Sequence, residues 1–281
     1  GNFRKILDID RVPRLGQNLK KDGLLNKAAV RSAIEVMKEY SSIAAANNAE
    51  NIVSVGTMAL RNARDSAEFV SSVKEECGLD IEIISGEEEA RLSFLTVKYG
   101  LQIANESLTV IDVGGGSTEF ITGKNGKISY SCSVGTGAVS LKDDHYFSDP
   151  VTKAEFNKGR LDISEKIEPV QDLKGKDKFV GIGGTLTNIA SIKFGLEEYD
   201  PDIVHGSILR RDELTEMINR FRQSTIEEIR RIKGLQPDRA DVILAGSCIV
   251  DVIMEKTGYD SIIVSDWGLR HGIMYERFGG V

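Results

Sequence analysis

Asp112 and Glu119 bracket three consecutive glycines and two hydroxyl residues, Gly114, Gly115, Gly116, Ser117 and Thr118. Glycines without Cβ atoms let backbone N–H groups close around an anion. Ser117 and Thr118 can add hydroxyl donors, and the flanking carboxylates are hard oxygen ligands suited to Mg²⁺. Those residue types in that order suit the handling of phosphate with a cation. They would equally close a tight β-turn with solvated carboxylates, so the spacing leaves both readings open.

A second stretch, Gly181-Ile182-Gly183-Gly184-Thr185, repeats the order of strand, glycines, hydroxyl and helix. The helix after it would aim its positive end at a bound anion, although a structural turn again accounts for the glycines. Glu87, Glu88 and Glu89 fall on the first turn of an expected helix, where acids complement the dipole and Glu88 closes a capping box with Ser85. Consecutive helical residues project about 100° apart, so Glu89 need not share the solvated face of Glu87. There it could act as a general base toward water. Arg61 and Arg64 follow a strand end, where open α/β sheets bind ligands, and a guanidinium fork matches phosphate oxygens. Ordinary surface ion pairs are the alternative, and the simpler one for Arg64. His145, His205 and His271 have no metal-ligand spacing and read as packing or surface residues, and Trp267 reads as core.

The elements that must carry these groups follow from periodicity and punctuation. Strands are expected at 3–9, 52–55, 81–84, 110–112, 119–123, 127–133, 179–182 and 261–264. Helices are expected at 27–47, 65–77, 85–100, 152–167, 186–194, 212–222, 226–232, 239–256 and 268–277. Asn125-Gly126 is a strong hairpin signal, giving three successive antiparallel strands. Residues 11–23 read as a basic connection and 200–207 as a loop around Pro201. Alternating strands and helices indicate an α/β protein. If the two halves are repeats, the first lacks an opening ribbon and glycine loop of about 16 residues. Gly1 is not a natural initiator, and the expectation is that those residues are missing from this sequence.

With 281 residues, the chain can bury a sizeable core and hold two domains. A formal net charge of −7 argues against a nucleic-acid polymer as partner. Cys77, Cys132 and Cys248 lie far apart, as reduced core thiols of a cytoplasmic protein would. No signal-peptide pattern and no apolar run of about 18 residues is read in this sequence, so neither secretion nor membrane spanning is expected.

Taken together, these residues resemble the exopolyphosphatase and guanosine pentaphosphate phosphohydrolase family of the actin, sugar-kinase and heat-shock ATPase superfamily. The segments that carry the resemblance start at Thr57, Ile84, Ile111, Gly181, Val204, Arg239 and Trp267, in family order and nearly end to end. The resemblance implies two ribonuclease-H-like (actin-like) domains with a phosphate-binding cleft between them. Residues 1–106 would form the first, joined by the C-terminal helix 268–281, and 107–267 the second. It implies Glu89 as the catalytic glutamate, Asp112 and Glu119 as metal-associated acids, and Gly114 to Ser117 as the phosphate loop. Arg61 would contact phosphate. Mg²⁺ or another divalent cation is the implied cofactor.

The implied activity is release of terminal orthophosphate from inorganic polyphosphate, with short chains favoured because an acidic protein shows no extended basic channel. Guanosine pentaphosphate (pppGpp) is the alternative substrate, and a non-catalytic sensor of a phosphorylated nucleotide is the alternative role. An ATP-dependent kinase is disfavoured by Glu87-Glu88-Glu89-Ala90-Arg91. A homodimer is the expectation for a cytosolic enzyme of this kind. The family's N-terminal Asp-x-Gly-type loop is absent from this sequence, as is the extra helical region of longer members, and His271 stands where the family usually has an acid.

Overall fold

A computed structural model describes residues 5–9, 11–17, 19–101, 103, 106–170, 173 and 177–279. The chain divides into two units between Glu89 and Ala90. The first unit contains α1 (Leu19–Asp22), α2 (Lys27–Ala46), β1 (Ser54–Gly56), α3 (Met58–Asn62), α4 (Ser66–Cys77) and β2 (Ile81–Ile83), and it ends on the first turn of α5 (Gly86–Gly100). Asn26 caps α2 by accepting from the Ala28 and Ala29 N–H groups at 2.9 and 3.1 Å. Gly78, at φ 70°, stops α4 in the left-handed conformation that a side chain disfavours. Strands β1 and β2 pair in parallel, and Ala33, Ile34, Leu60, Phe69, Val73 and Leu79 form the core.

Two expectations change here. Of the strand expected at 3–9, Phe3 and Arg4 lie outside the described residues, and residues 5–9 are irregular. Ile6 and Leu7 are exposed, so this segment buries no apolar face that could hold it in a sheet. The connection at 11–23 contains the single turn α1.

The second unit continues α5 and adds β3 (Ser107–Val113), β4 (Thr118–Lys124), β5 (Lys127–Val134), α6 (Ala138–His145), α7 (Lys153–Lys166), β6 (Lys178–Ile182) and α8 (Gly184–Phe194). It goes on through α9 (Pro201–Val204), β7 (Ile208–Arg210), α10 (Arg211–Gln223), α11 (Ile226–Arg230), α12 (Ile243–Thr257), β8 (Ser261–Val264) and α13 (Leu269–Phe278). The sheet order is β5-β4-β3-β6-β8-β7. Strands β3, β4 and β5 are antiparallel, while β3–β6 and β6–β8 are parallel. Asn125 and Gly126 both have positive φ, as a two-residue hairpin turn requires. Three antiparallel strands followed by parallel ones form the ribonuclease-H-like α/β arrangement that the resemblance implied. Among the described residues, no helix is long and apolar enough to cross a membrane.

Alternation along β3 sends Leu108 and Val110 into the cluster with Phe94 and Val97 of α5, and Ile111 and Val113 into the larger core with α12. The loop expected at 200–207 contains α9, and β7 follows it. Both are too short to show a period, and β7 is held by antiparallel pairing with β8. His205 and His271 both stack on Trp267, at ring separations of 5.5 and 5.1 Å, which gives both histidines a packing role.

Helix α12 is apolar around most of its circumference and buried along nearly its whole length. Asp251 is the charged residue buried within it. The carboxylate receives Arg160 at 2.5 Å and Arg211 at 3.0 Å, and both arginines also reach Glu255. Asp251→Ala is expected to cost about 2 kcal/mol in urea denaturation, less than the ~3–5 kcal/mol of a fully buried pair because the arginines keep Glu255 and some water.

Candidate functional site

The β3–β4 register sets Asp112 directly opposite Glu119. Such residues share one face of a sheet with Cβ atoms about 4.5–5.5 Å apart. Glu119 is 8% exposed, and its Oε1 accepts from the Ser117 hydroxyl at 2.6 Å and the Ser133 hydroxyl at 2.8 Å. Two carboxylates held this way repel each other, and a divalent cation between them relieves that repulsion. Among the described residues no three His, Cys, Asp or Glu side chains converge as a metal cluster. Two acids are nonetheless what Mg²⁺ commonly takes from protein when phosphate and water complete its shell, so this pair fits the ion. Cys132, opposite Phe120 on the next strand, is no ready nucleophile, because burial raises its thiol pKa.

Helix α6 shapes the first glycine loop. The Ala138 N–H donates to the Gly114 carbonyl at 2.9 Å, and the Val139 and Ser140 N–H groups donate to the Gly115 carbonyl at 2.8 and 3.0 Å. In a planar trans peptide the N–H points opposite to the C=O. The N–H groups of Gly115 and Gly116 therefore point away from α6. The remaining members of the expected cradle have partners within the protein. Gly114 N–H closes the turn onto the Ser117 carbonyl at 3.0 Å, Ser117 donates to Glu119, and the buried Thr118 hydroxyl donates to the Thr136 carbonyl at 2.7 Å. In this geometry Ser117 orients a carboxylate and Thr118 ties β4 to the loop before α6.

The second glycine loop lies beside Asp112. Gly183 adopts φ 88°, and a Cβ there would lie 2.5 Å from Asp112 Oδ1. Thr185 donates to the Val113 carbonyl at 3.3 Å, joining the loop to the end of β3. Gly184 opens α8 and lies under the guanidinium of Arg239. A Cβ on Gly184 would stand 2.5 Å from both Nη1 and Nη2.

In the first unit, Glu89 and Arg61 come together. Arg61 Nη1 donates to Glu89 Oε2 at 2.7 Å and to the Ile84 carbonyl at 2.9 Å. Glu87 is exposed, whereas the Glu89 side chain is only 14% exposed, so the three glutamates are sorted by the helical angle between them. Ser85 Oγ accepts from the Glu88 N–H at 3.1 Å, supplying the expected cap. Arg64 instead donates to the Asp22 carbonyl, a structural contact.

Residues 1–279 match the model of the Ppx/GppA phosphatase family. The chain belongs to that family. It is 29% identical over 282 residues to exopolyphosphatase 2 of Mycobacterium tuberculosis, covering 96% of this chain and 88% of that protein. It is also 29% identical over 262 residues to a bifunctional 3-dehydroquinate synthase/phosphatase of Fusobacterium nucleatum, covering 91% of this chain but spanning only 39% of that longer protein. A solved Ppx/GppA enzyme of Aquifex aeolicus superimposes with a TM-score of 0.80 at 34% identity, covering 97% of this chain and 90% of that one.

For a Ppx/GppA phosphatase, the structure adds Arg239 to the groups expected from sequence. Its segment contributes to the family resemblance, but nothing local in Arg239-Ala240-Asp241-Val242 shows that the guanidinium reaches a glycine loop from the 3-10 turn ahead of α12.

Proposed function

We propose that this phosphatase releases terminal orthophosphate from inorganic polyphosphate, with Asp112 and Glu119 holding Mg²⁺ and Glu89 serving as the base. The observation that carries the proposal is the pairing of two carboxylates across β3 and β4, with a glycine loop at each side. The exopolyphosphatase named among the relatives supports polyphosphate as the substrate class.

Each residue then has a stated task. The Gly115 and Gly116 N–H groups and the Arg239 guanidinium bind phosphate oxygens of the substrate. Arg61 neutralises oxygens of the phosphoryl group under attack and keeps the Glu89 carboxylate in place. Glu89 orients the attacking water and takes its proton as the P–O bond forms, so no covalent enzyme intermediate is required. When bound, Mg²⁺ would offset charge on the transferred and leaving oxygens. Short chains are the preferred substrates, because a protein of net charge −7 presents little to attract a long polyanion.

Phosphate release from polyphosphates of defined length tests this reading. Turnover is expected with Mg²⁺, is abolished by EDTA, and is faster per chain end on short chains. Asp112→Asn is expected to raise the Mg²⁺ concentration needed for half-maximal rate by about tenfold or more. A higher kcat/KM on guanosine pentaphosphate than on any polyphosphate would overturn the substrate assignment. Binding of phosphorylated nucleotide with no phosphate release from either compound would make the protein a sensor.

A further inference from the structure

Arg239 is held by a hydrogen-bonded relay that starts at the second glycine loop. Asn188, on α8 and 3% exposed, uses both faces of its side-chain amide. Its Nδ2 donates to the Gly184 carbonyl at 2.9 Å and to Gln236 Oε1 at 3.2 Å, while its Oδ1 accepts from the Gln236 N–H at 2.8 Å. Gln236 Oε1 also accepts from Arg239 Nε at 2.8 Å. A flipped Asn188 amide would set N–H against N–H at Gln236, so the network admits one orientation.

We infer that Asn188 and Gln236 are positioning residues that orient the Arg239 guanidinium against Gly184 for phosphate binding. The inference rests on the proposed role of Arg239. A guanidinium fork engages two phosphate oxygens only when its plane is set, and a bond to Nε sets that plane while directing the two Nη atoms outward along it. The Nη atoms here lie against Gly184, at the start of α8. The same Asn188 that bonds Gln236 also bonds the Gly184 carbonyl, so loop and guanidinium share one anchor. A long, rotamer-rich arginine loses side-chain entropy when it binds an anion. The relay removes part of that loss before substrate arrives, so its contribution belongs in KM more than in kcat.

Steady-state phosphate release tests the inference with Gln236→Met, which keeps the length of the side chain and removes the acceptor, and with Gln236→Glu, which keeps an oxygen at Oε1. Gln236→Met is expected to raise KM for short polyphosphate by about tenfold with kcat within twofold, and Gln236→Glu to restore KM to within about threefold of wild type. In an Arg239→Ala background, Gln236→Met is expected to add no further change, because its effect passes through the arginine. Thermal melting of each variant corrects for folded fraction. Wild-type KM in Gln236→Met, alongside a raised KM in Arg239→Ala, would overturn the positioning role and leave the arginine's role standing. Additive effects in the double variant would also overturn it. Wild-type KM in Arg239→Ala would remove the role of Arg239 and the relay's purpose together.

Discussion

Glu89→Gln is expected to lower phosphate release by about 10²- to 10⁴-fold, the range by which a positioned base accelerates proton transfer. The substitution preserves shape. A glutamine oxygen can still accept from Arg61 Nη1, which donates to Glu89 Oε2 at 2.7 Å and also holds the Ile84 carbonyl. The arginine therefore stays in place, and the lost charge-assisted part of one mostly buried bond is worth about 1 kcal/mol of stability. Calorimetric binding of a short polyphosphate is expected to remain within a few-fold of wild type while product release collapses. Turnover near the wild-type rate would remove Glu89 as the base.

Gly183→Ala is expected to reduce Mg²⁺-dependent phosphate release by about a hundredfold, on the scale of losing one preorganised electrostatic contact. Two costs coincide there. At φ 88° and ψ 167° the residue occupies a region that only glycine adopts readily. The new methyl would also fall 2.5 Å from Asp112 Oδ1, so the carboxylate must leave its place opposite Glu119. Gly195→Ala separates the two costs. Gly195 caps the other end of α8 at φ 59°, and a Cβ there would have only Lys233 Cδ within reach, at 3.9 Å. It is expected to lose about 1–2 kcal/mol of stability from the left-handed backbone and to keep wild-type activity per folded molecule. Equal activity losses in the two variants, after correction for folded fraction, would show strain rather than carboxylate displacement at work.

What could be read from sequence was local. Asn125-Gly126 fixes a hairpin through two backbone angles, and with it the antiparallel pairing of β4 with β5 that sets Ser133 opposite Glu119. Gly78 and Asn26 mark helix ends by the same short-range logic. Other features depended on tertiary context. Strand β7 exists because Ile208 finds Ile263, whereas the segment at 5–9, whose alternation Ile6 already breaks, leaves Ile6 and Leu7 exposed. The relay from Gly184 through Asn188 and Gln236 to Arg239 joins side chains from separate elements, none of which carries a pattern of its own. The hydroxyls of Ser117 and Thr118 were legible as donors, but their acceptors, Glu119 and the Thr136 carbonyl, depended on how β4, β5 and the loop before α6 are arranged.

The last helix has a consequence for how the chain reaches this state. Helix α13 packs on α5 through the Tyr99–Tyr275 ring pair at 5.0 Å and the Arg91–Glu276 ion pair, and Thr96 Oγ1 donates to the Trp267 carbonyl at 3.1 Å across 171 residues of sequence. Gly272 lies so close to the Leu92 carbonyl that it has no room for a side chain. Loops of that span close slowly because their entropy must be lost before the contact forms. Helix α5 therefore acquires this neighbour only after the 171 residues that follow Thr96, through Trp267, have been synthesised, so the helix that carries the three glutamates is completed well after it is made.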